Sequence, residues 1–484
     1  MRGCMRALID GCALVAGGLL LANVAIAEPA QLDDAGRQLA HDIFKELIVI
    51  DTTDAEGNVT TAATAMRQRL LAAGFTSDEL FLDGPTETKK NLVVRYSGTG
   101  LKKPILFIGH LDVVPAPRAD WSTDPFKFTE KDGYYYGRST QDMKGSDAIL
   151  VTMLIRMKQN GYRPNRDLIV ALTADEEGGQ SNGVLWLLQH HPDLIDAEFV
   201  LNPDGGGIDM KAGKVATVNI DATEKLYGDY ELTATNPGGH SSLPTAKNAI
   251  YDLANALVLL QNYKFPFEPN PIARAYCARR SAIESGDMAA DLHAVGQGSL
   301  DPAVTERLSH NPQLNAMLRT TCVATQVKGG HATNALRQLT QANISCRILP
   351  GHSLEEIRGE LARVIADPTI AVRYQDEFGQ VHDVAPEGQR APPAPLHPEV
   401  LGALEKTAAE FWPHAPVLPV VNVGASDSVY TNAAGLPSFG ISGIALDIGD
   451  YRAHGKDERV PIDSYYQGLL FYERLVRQLS DPQS

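Results

Sequence analysis

Apolar residues recur in two different patterns along this chain, and the pattern changes near residue 221. Before that point, short apolar runs typical of buried strands alternate with segments whose apolar residues are spaced as in helices. The predicted strands cover residues 91–96, 105–109, 133–137, 168–173 and 199–202, and the predicted helices cover 34–48, 62–73, 145–158 and 183–190. Such alternation predicts an α/β fold with a doubly wound sheet and helices on both faces.

The segment that follows predicts a compact α+β unit inserted into the first domain. Strands are predicted at 230–235, 323–327, 342–348 and 371–374, helices at 248–261 and 354–365, and a polar, helical stretch at 281–317. Residues 382–398 are rich in Pro, Gly and His, as in a linker. Helices at 398–411 and 464–479 and strands at 418–423 and 438–441 then complete the first domain. We therefore predict a main domain formed by residues 28–222 and 383–484, and an inserted domain formed by residues 223–382.

The first residues, 1–27, are typical of a cleavable secretory signal peptide. Arg2 and Arg6 precede a mostly apolar run, and Ala25-Ile26-Ala27 has the small-x-small form of a cleavage site. Asp10 leaves the apolar run shorter than the roughly 20 residues of a membrane span, which favours cleavage over an anchor. Cys12 comes too early for a lipoprotein. We expect a secreted or periplasmic protein without a membrane anchor in its mature form.

The composition argues against two kinds of site, a nucleic-acid-binding surface and a metal site built from cysteines. With 44% hydrophobic and 21% charged residues the chain is globular, and its formal net charge of −16 gives no electrostatic footprint for nucleic acid. The cysteines after the signal are Cys277, Cys322 and Cys346, and none lies in the C-x-x-C spacing of a metal site. Cys322 and Cys346 lie in predicted neighbouring strands. A bridge between them and buried free thiols both fit the sequence.

A histidine and an aspartate follow one apolar strand of the main domain. His110 ends the run Pro104-Ile-Leu-Phe-Ile-Gly-His110-Leu-Asp112, and alternation along the strand turns His110 and Asp112 the same way. A histidine that binds a metal usually donates its other N–H group to a carboxylate, a role that Asp112 suits. Open α/β sheets hold their ligands at such strand ends. His110 is therefore a candidate metal ligand.

Four further motifs lie at the edges of other elements. Asp142 precedes a predicted helix, where a carboxylate either caps the helix or bridges two metal ions. Glu176 and Glu177 follow the strand at 168–173 and meet a Gly-Gly turn; one can bind a metal while the other accepts a proton from water. Asp204 follows the next strand, and His454 supplies a second histidine from the C-terminal part. Together these residues have the composition of the ligand set of a two-metal hydrolase.

The same motifs carry a resemblance to a known family. In chain order they are Gly-His110-Leu-Asp112-Val-Val-Pro, Gly-Arg-Ser-Thr-Gln-Asp142-Met-Lys-Gly, Asp-Glu176-Glu177-Gly, Asn-Pro-Asp204-Gly and Ala-His454-Gly-Lys-Asp-Glu. With them the chain resembles the M20 family of metallopeptidases and amidohydrolases. Residues 311–321 and 334–347 are similar to its carboxypeptidase S and N-acyl-amino-acid hydrolase branch. The resemblance implies a zinc-peptidase-like doubly wound mixed sheet with an inserted α+β lid and dimerisation domain.

The resemblance also implies a role for each residue of the cluster. It implies two zinc ions per subunit, with Co²⁺ or Mn²⁺ as possible substitutes. Glu176 would be the general base and acid, and Asp112 would orient His110. The implied ligands are His110 and Asp204 on one ion, Glu177 and His454 on the other, and Asp142 between the two.

Residues of the insert would complete the site. Gly238-Gly239-His240 matches a family motif whose histidine polarises the scissile carbonyl, often from the partner subunit of a homodimer. Asn334 and Arg347 match positions that bind substrate carboxylate or carbonyl groups. One position departs from the family's Asn-x-x-Pro pattern, because this chain has Asn334-Ala-Leu-Arg337. Arg337 either adds positive charge near the substrate or lies in solvent. His190, His191 and His331 match no ligand position, and we predict that they are structural or surface residues.

We therefore expect an exported zinc-dependent exopeptidase of the carboxypeptidase or dipeptidase type, which hydrolyses an amide bond next to a free carboxylate by metal-activated water. The alternative within the family is an N-acyl-amino-acid amidohydrolase. The alternative from another class is a non-catalytic binding or dimerisation module, which the filled ligand positions disfavour. The expected substrates are short peptides or N-acyl amino acids.

Overall fold

The computed structural model describes residues 32–376, 378–386 and 396–481. The predicted signal peptide and the central part of the predicted linker lie outside the described residues. No helix in the described ranges is long and apolar enough to cross a membrane.

The eight predicted helices are found within about three residues of their predicted bounds, and the described ranges hold further helices at 192–195, 271–281 and 428–433 that the sequence pattern did not predict. In chain order the α-helices are α1 (Asp34–Val49), α2 (Val59–Ala72), α3 (Lys144–Gln159), α4 (Gly183–His190), α5 (Pro192–Ile195), α6 (Ala249–Asn262), α7 (Pro271–Ser281), α8 (Gly286–Gly296), α9 (Pro302–Ser309), α10 (Pro312–Leu318), α11 (Leu354–Ile365), α12 (Pro398–Phe411), α13 (Ser428–Ala433) and α14 (Ile462–Ser480).

The described ranges contain more strands than the sequence pattern predicts. They are β1 (Leu80–Asp83), β2 (Asn91–Tyr96), β3 (Ile105–His110), β4 (Thr129–Lys131), β5 (Tyr134–Tyr136), β6 (Leu168–Thr173), β7 (Phe199–Asn202), β8 (Gly207–Lys211), β9 (Lys214–Glu224), β10 (Leu226–Thr235), β11 (Gly239–His240), β12 (Thr321–Lys328), β13 (Ala335–Leu336), β14 (Leu339–Ile348), β15 (Ile370–Gln375), β16 (Val381–His382), β17 (Val417–Asn422), β18 (Ser438–Gly440), β19 (Ala445–Asp447) and β20 (Arg459–Pro461).

The larger sheet has ten strands and is mixed. Its order is β1-β2-β6-β3-β7-β18-β9-β8-β19, and β17 also pairs with β9. The central strands β6, β3, β7 and β18 are parallel, whereas β1 and β2 run antiparallel to their neighbours. Alternate residues of β3 enter different cores, with Phe107 on one face and Leu106 and Ile108 on the other. Helices therefore cover both faces, which confirms the predicted doubly wound α/β fold.

A hairpin of this sheet escaped the sequence analysis. Strands β8 and β9 pair antiparallel and are joined by a tight turn at Ala212 and Gly213, both of which have left-handed backbone angles. Strand β9 mixes Val, Thr and Ile with charged residues, so its apolar positions do not form the continuous run that marks the central strands. Its burial depends on packing in the larger sheet, which the local pattern does not reveal.

The smaller sheet has five antiparallel strands in the order β12-β14-β10-β15-β16. Helices α6 and α11 cover one face and share its core with residues such as Tyr230, Ile344 and Leu361. Helices α7 to α10 belong to the core of the larger sheet instead, through residues that include Cys277 and Leu318. The segment predicted as one insert thus contributes to two cores, and its exact limits stay a prediction.

The structure decides between a disulfide bond and free thiols, the two alternatives that the sequence left open for the cysteines. Cys322 and Cys346 are register partners on β12 and β14 and form a disulfide bond. Cys277 is a buried free thiol, and burial raises its pKa to about 12. A thiol with so high a pKa is unreactive at neutral pH, so Cys277 is a core residue.

Candidate metal centre

The three central parallel strands bring the predicted ligands to one edge of the larger sheet. His110 is the last residue of β3 and pairs in register with Thr173, the last residue of β6. Strand β7 runs parallel to β3 and ends two residues before Asp204. Parallel strands have their carboxyl ends on the same side, so the segments after β3, β6 and β7 meet there.

Asp142 lies between the two histidines. One of its carboxylate oxygens, Oδ1, is 3.1 Å from Nε2 of His110, and the other, Oδ2, is 3.1 Å from Nε2 of His454. Glu177 Oε2 is 2.8 Å from the same atom of His454. Each oxygen of Asp142 thus faces a different imidazole, as a carboxylate that bridges two cations must.

The remaining acids surround His110. Glu176 Oε2 and Asp204 Oδ1 both lie 4.0 Å from its Nε2. The donor atoms of His110, Glu176 and Asp204 lie within 4.8 Å of one another, and so do those of His110, Asp142 and Glu177. Imidazole nitrogen and carboxylate oxygen are the donors that zinc accepts. The residues present therefore fit a pair of divalent cations.

Four carboxylates share this small volume with two imidazoles, and their pKa values show the crowding. Burial and the charge of Asp204 raise the pKa of Glu176 well above its ordinary value. Burial lowers the pKa of His110, but the hydrogen bond with Asp142 and the neighbouring acids outweigh it and raise that pKa well above the usual range. Hydrogen bonds with Asp142 and Glu177 raise the pKa of His454 to about 10. So many acids in contact favour bound positive charge, whether protons or metal ions.

The structure gives Asp112 a contact that the sequence did not predict. Nδ1 of His110 is 3.1 Å from the backbone oxygen of Asp112 and 3.7 Å from its carboxylate. The carboxylate instead accepts hydrogen bonds from the backbone N–H groups of Glu176 at 3.2 Å and Glu177 at 2.9 Å. Asp112 is 2% exposed, so no water competes for these bonds. Its carboxylate therefore positions the glutamate pair, while its carbonyl faces His110.

Glu458 is a functional residue that sequence reasoning missed. It is fully buried, and it accepts hydrogen bonds from the backbone N–H groups of Ser139, Gln141 and Asp142 at 2.9, 2.7 and 3.2 Å. Arg138 donates a further bond at 2.6 Å. Burial raises the pKa of Glu458 to about 7. Glu458 thus holds the loop that carries Asp142, and its only signal in the sequence was its place at the end of the His454 motif.

Gln141 links the same loop to the His454 segment. Its Oε1 accepts hydrogen bonds from the backbone N–H groups of Arg452 at 2.7 Å and Ala453 at 3.1 Å. Its Nε2 donates to the backbone oxygens of Asp450 and Arg459. The bridging acid and the second histidine are therefore fixed to one another although 312 positions separate Asp142 from His454 in the chain.

Asp427 is a second missed residue of the site. It immediately precedes the short helix α13, and it accepts a hydrogen bond of 2.6 Å from Nδ2 of Asn182 and one of 3.4 Å from the hydroxyl of Thr173. Burial raises its pKa to about 6. The available signal was weak, because Asp427 comes five positions after the end of the apolar strand β17 and not directly after it.

The insert residues are not brought to the cluster within this chain. His240 and Asn334 lie together, since Ser241 donates a hydrogen bond of 3.0 Å to the backbone oxygen of Asn334. Both are exposed, and within the described ranges no hydrogen bond or ion pair joins His240 to the cluster. Arg347 lies near the other end of β14, with its guanidinium 4.6 Å from the ring centre of Tyr227. The eight steps along the strand from Leu339 to Arg347 span about 26 Å.

Arg337 and the histidines that match no ligand position lie away from the metal cluster. Nε of Arg337 donates to the backbone oxygen of Leu339, which closes the turn that proline would otherwise rigidify. His190 and His191 lie against the ring of Trp186 at the end of α4. His331 is exposed. The predictions for these histidines agree with their positions.

The chain is similar to known metallopeptidases and amidohydrolases in sequence and in fold. A family model described as peptidase family M20/M25/M40 matches residues 106–478. A probable carboxypeptidase S-like 2 of Dictyostelium discoideum is 28% identical over 414 residues, which is 80% of this chain and 75% of that protein. The human N-fatty-acyl-amino acid synthase/hydrolase PM20D1 is 26% identical over 389 residues, 79% of this chain and 75% of its own. The crystal structure of an M20 family metallo-carboxypeptidase, Sso-CP2 from Sulfolobus solfataricus, has a TM-score of 0.66 at 17% identity and covers 93% of this chain and 99% of that one, which shows a shared fold.

Proposed function

The chain belongs to peptidase family M20/M25/M40 and is a metallohydrolase that acts on peptide or N-acyl amide bonds. We propose that it is an exported, zinc-dependent exopeptidase of the carboxypeptidase or dipeptidase type. The observation that carries the proposal is the position of Asp142, whose two oxygens face His110 and His454, with Glu176 beside them. This arrangement suits hydrolysis by an activated water molecule.

Each residue of the cluster has a part in this chemistry. Two zinc ions, one held by His110 and Asp204 and the other by Glu177 and His454 with Asp142 between, would supply an acidified water and polarise the amide carbonyl. Glu176 accepts the proton of the attacking water and later donates it to the leaving amine nitrogen. Water adds to the carbonyl carbon as the C–N bond breaks, so the products are a carboxylic acid and an amine.

The environment of Glu176 suits both halves of that proton transfer. Burial and the charge of Asp204 raise its pKa, while the positive charge of His110 opposes them. A general acid and base works best when its pKa lies near the working pH, because it then exchanges a proton in both directions. An ordinary, solvent-exposed glutamate would hold its proton too weakly to protonate an amine.

A free carboxylate of the substrate is the group that we assign to Arg347. Its guanidinium is half-buried against Tyr227, and within the described ranges it forms no ion pair with a carboxylate of the chain. An arginine presents two parallel N–H groups that match a carboxylate. Recognition of a chain end would make the enzyme an exopeptidase.

The positions of Arg347 and His240 within one chain favour a homodimer. Arg347 lies about 26 Å of strand away from Leu339, the first residue of β14, whereas His240 pairs with Ala335 on β13, the strand before β14, so the partner subunit's His240 is the one that we assign to the scissile carbonyl. An exposed apolar surface on the smaller sheet offers an interface. It consists of Val323 and Val327 on the edge strand β12, and Tyr251 and Val258 on the neighbouring helix α6.

Mixing two inactive variants tests the dimer directly. Glu176→Gln and His240→Ala should each be nearly inactive alone. In a mixed dimer, the His240→Ala subunit keeps its own Glu176 and receives His240 from its partner, so activity should return. Mixtures that exchange subunits and stay inactive would contradict a shared site.

An N-acyl-amino-acid amidohydrolase is the second candidate. The human relative is named as an N-fatty-acyl-amino acid synthase/hydrolase, and a free carboxylate next to the scissile amide is common to both substrate classes. The same metal centre and the same role of Arg347 serve either substrate. A non-catalytic module is disfavoured because every expected ligand position carries a residue able to bind metal.

Export is proposed from two features of the chain. Residues 1–27 have the pattern of a signal peptide. The disulfide between Cys322 and Cys346 is typical of proteins from oxidising compartments, whereas the cytosol keeps most thiols reduced. Fractionation of cells that express the full chain, with sequencing of the mature N-terminus, tests this assignment; a cytosolic protein that begins at residue 1 would refute it.

The decisive experiment measures amino-acid release from a panel of dipeptides and N-acyl amino acids, with and without added zinc. Preferential release from dipeptides supports the exopeptidase, and preferential release from acylated single residues supports the amidohydrolase. Glu176→Gln should retain its metal and lose about 10²- to 10⁴-fold in turnover. A zinc-loaded protein that cleaves no member of the panel would refute both functions.

A further inference from the structure

The segment that carries the two glutamates makes an unusually tight turn. It runs from Ala174 after β6 to Asn182, the residue that caps α4. Asp175 adopts a left-handed backbone angle, with φ of 57°, and Gly178 and Gly179 have positive φ as well. A left-handed angle is uncommon for a residue that is not glycine, so other contacts must hold Asp175 in this conformation. We call residues 174–182 the glutamate loop.

The carboxylate of Asp175 is enclosed by the loop and bound by Lys89. Its Oδ1 is 2.5 Å from Nζ of Lys89, and its Oδ2 accepts a hydrogen bond of 3.2 Å from the backbone N–H group of Ser181. A Cβ atom on Gly179 would lie 2.4 Å from Oδ2, so the turn wraps directly around the acid. Asp175 is 4% exposed and Lys89 is 7% exposed. The pair is therefore a buried link between the loop and the segment before β2.

Lys89 is a cation in this setting. Burial lowers its pKa, but the hydrogen bonds to Asp175 and Asp54 outweigh burial and raise the pKa above its ordinary value. Asp54, 3.0 Å from Nζ, is largely exposed and contributes a screened charge. Asp175 is thus the main partner of Lys89, and a buried carboxylate left without its cation is strongly destabilised in its place.

The glutamate loop is held from a second side by Asp112. That residue binds the backbone N–H groups of Glu176 and Glu177, with the shorter bond to Glu177. Asn182 adds a bond to the backbone oxygen of Asp175. Glu176 therefore lies between two anchors, Asp175 on one side and Asp112 on the other, while Glu177 is held by the stronger bond to Asp112 and by its contact with His454.

We propose that Lys89, acting through Asp175, is a positioning residue for the proton-transferring Glu176. The inference rests on the proposed function, since it assigns the residue that aims the general base of that reaction. Without Lys89 the side chain of Asp175 turns away, the left-handed angle relaxes, and the peptide unit leading to Glu176 rotates. A displacement of about 1 Å at a catalytic group lowers turnover by up to about 100-fold. Metal binding, which depends on Glu177 and not on Glu176, stays intact.

The test compares two neighbouring lysines. Lys89→Met removes the buried cation, whereas Lys90→Met removes a lysine whose partner Glu87 is exposed and lies on the surface. We expect Lys89→Met to lower kcat about 10- to 100-fold, with KM within about twofold and zinc content unchanged. Lys90→Met should match the wild-type enzyme, and Lys89→Arg should recover part of the lost kcat because it restores the charge. These measurements use the full mature chain with zinc, on the best substrate of the panel.

Several results would overturn the inference. One is a kcat of Lys89→Met equal to that of Lys90→Met; another is a loss of zinc in step with the loss of kcat, which would make Lys89 a support of the metal centre. Asp175→Asn serves if Lys89→Met does not fold, because asparagine tolerates the left-handed angle and lacks the charge. It should show the same loss of kcat, and an unchanged kcat would reject the proposal. A wild-type enzyme without amidase activity would instead reject the proposed function itself.

Discussion

Replacing Asp112 by asparagine separates the two roles that its position allows. The sequence assigned its carboxylate to His110, whereas the structure shows it bound to the backbone N–H groups of Glu176 and Glu177. In Asp112→Asn one carboxylate oxygen becomes an NH₂ group. One of the two backbone N–H groups then faces another donor, in a site that is too buried for water to replace the lost bond.

The expected cost follows from that single lost bond. A hydrogen bond to a charged group contributes roughly 1.5–3 kcal/mol, so the variant should lose about 2 kcal/mol of unfolding free energy. The freed N–H group belongs to the loop that carries the general base, and we expect kcat to fall about 10- to 100-fold. Zinc content should not change, because the backbone oxygen of Asp112 still faces Nδ1 of His110.

The assay combines kcat and KM, zinc analysis and urea unfolding, with Asp167→Asn as the matched control. Asp167 also accepts a backbone hydrogen bond, of 2.8 Å from Gly98, and it lies before β6, at the end of the strand away from the glutamates. The control should lose stability and keep its kcat. If Asp112→Asn lost zinc, and its kcat returned to the wild-type value when zinc was added to saturation, the carboxylate would act on His110 and our reasoning would be refuted.

Three further predictions follow from other parts of the structure. Chelation of the metal should abolish hydrolysis, and zinc, Co²⁺ or Mn²⁺ should restore it; activity that survives complete chelation would contradict a metal centre. Burial lowers the pKa of Lys225 to about 7, so the folded chain releases this proton before the unfolded chain does. Unfolding free energy should therefore rise by up to about 1.4 kcal/mol per pH unit from about pH 7 to pH 10, and Lys225→Met should remove that slope in urea titrations. Replacing Cys322 and Cys346 by serine opens a loop of 24 residues and should cost about 3 kcal/mol of stability, measured against a Cys277→Ser control in which no disulfide is lost.

Much of the main domain could be predicted because its signals are local. A buried parallel strand is a continuous apolar run, and the runs at 91–96, 105–109, 168–173 and 199–202 each became a strand of the larger sheet, whereas 133–137 became β5 of a separate three-stranded sheet. The ligands could be predicted for the same reason, since the residues that follow such a run lie at the carboxyl edge of the sheet. His110, Glu176 and Asp204 each satisfy this rule.

The failures involve residues whose role depends on distant partners. Glu458 is 316 positions from Asp142, and nothing in its own neighbourhood shows that it binds the loop of that residue. The helices α7 to α10 looked like part of the insert because they lie between its strands β10 and β12 in the chain, but they pack against the larger sheet. Packing of this kind is decided by shape and total burial, which periodicity does not encode.

The sequence by itself determined the order of elements, the strand ends and the types of side chain that meet there, because side-chain alternation and chain direction are properties of the local backbone. Only the tertiary structure decided which atom faces which. It turned the two oxygens of Asp142 to different histidines, gave the carboxylate of Asp112 to the glutamate loop, and placed His240 in the two-stranded sheet of β11 and β13 and Arg347 in the five-stranded sheet. Those relations come from contacts between residues far apart in the chain, and such contacts exist only once the whole core has formed.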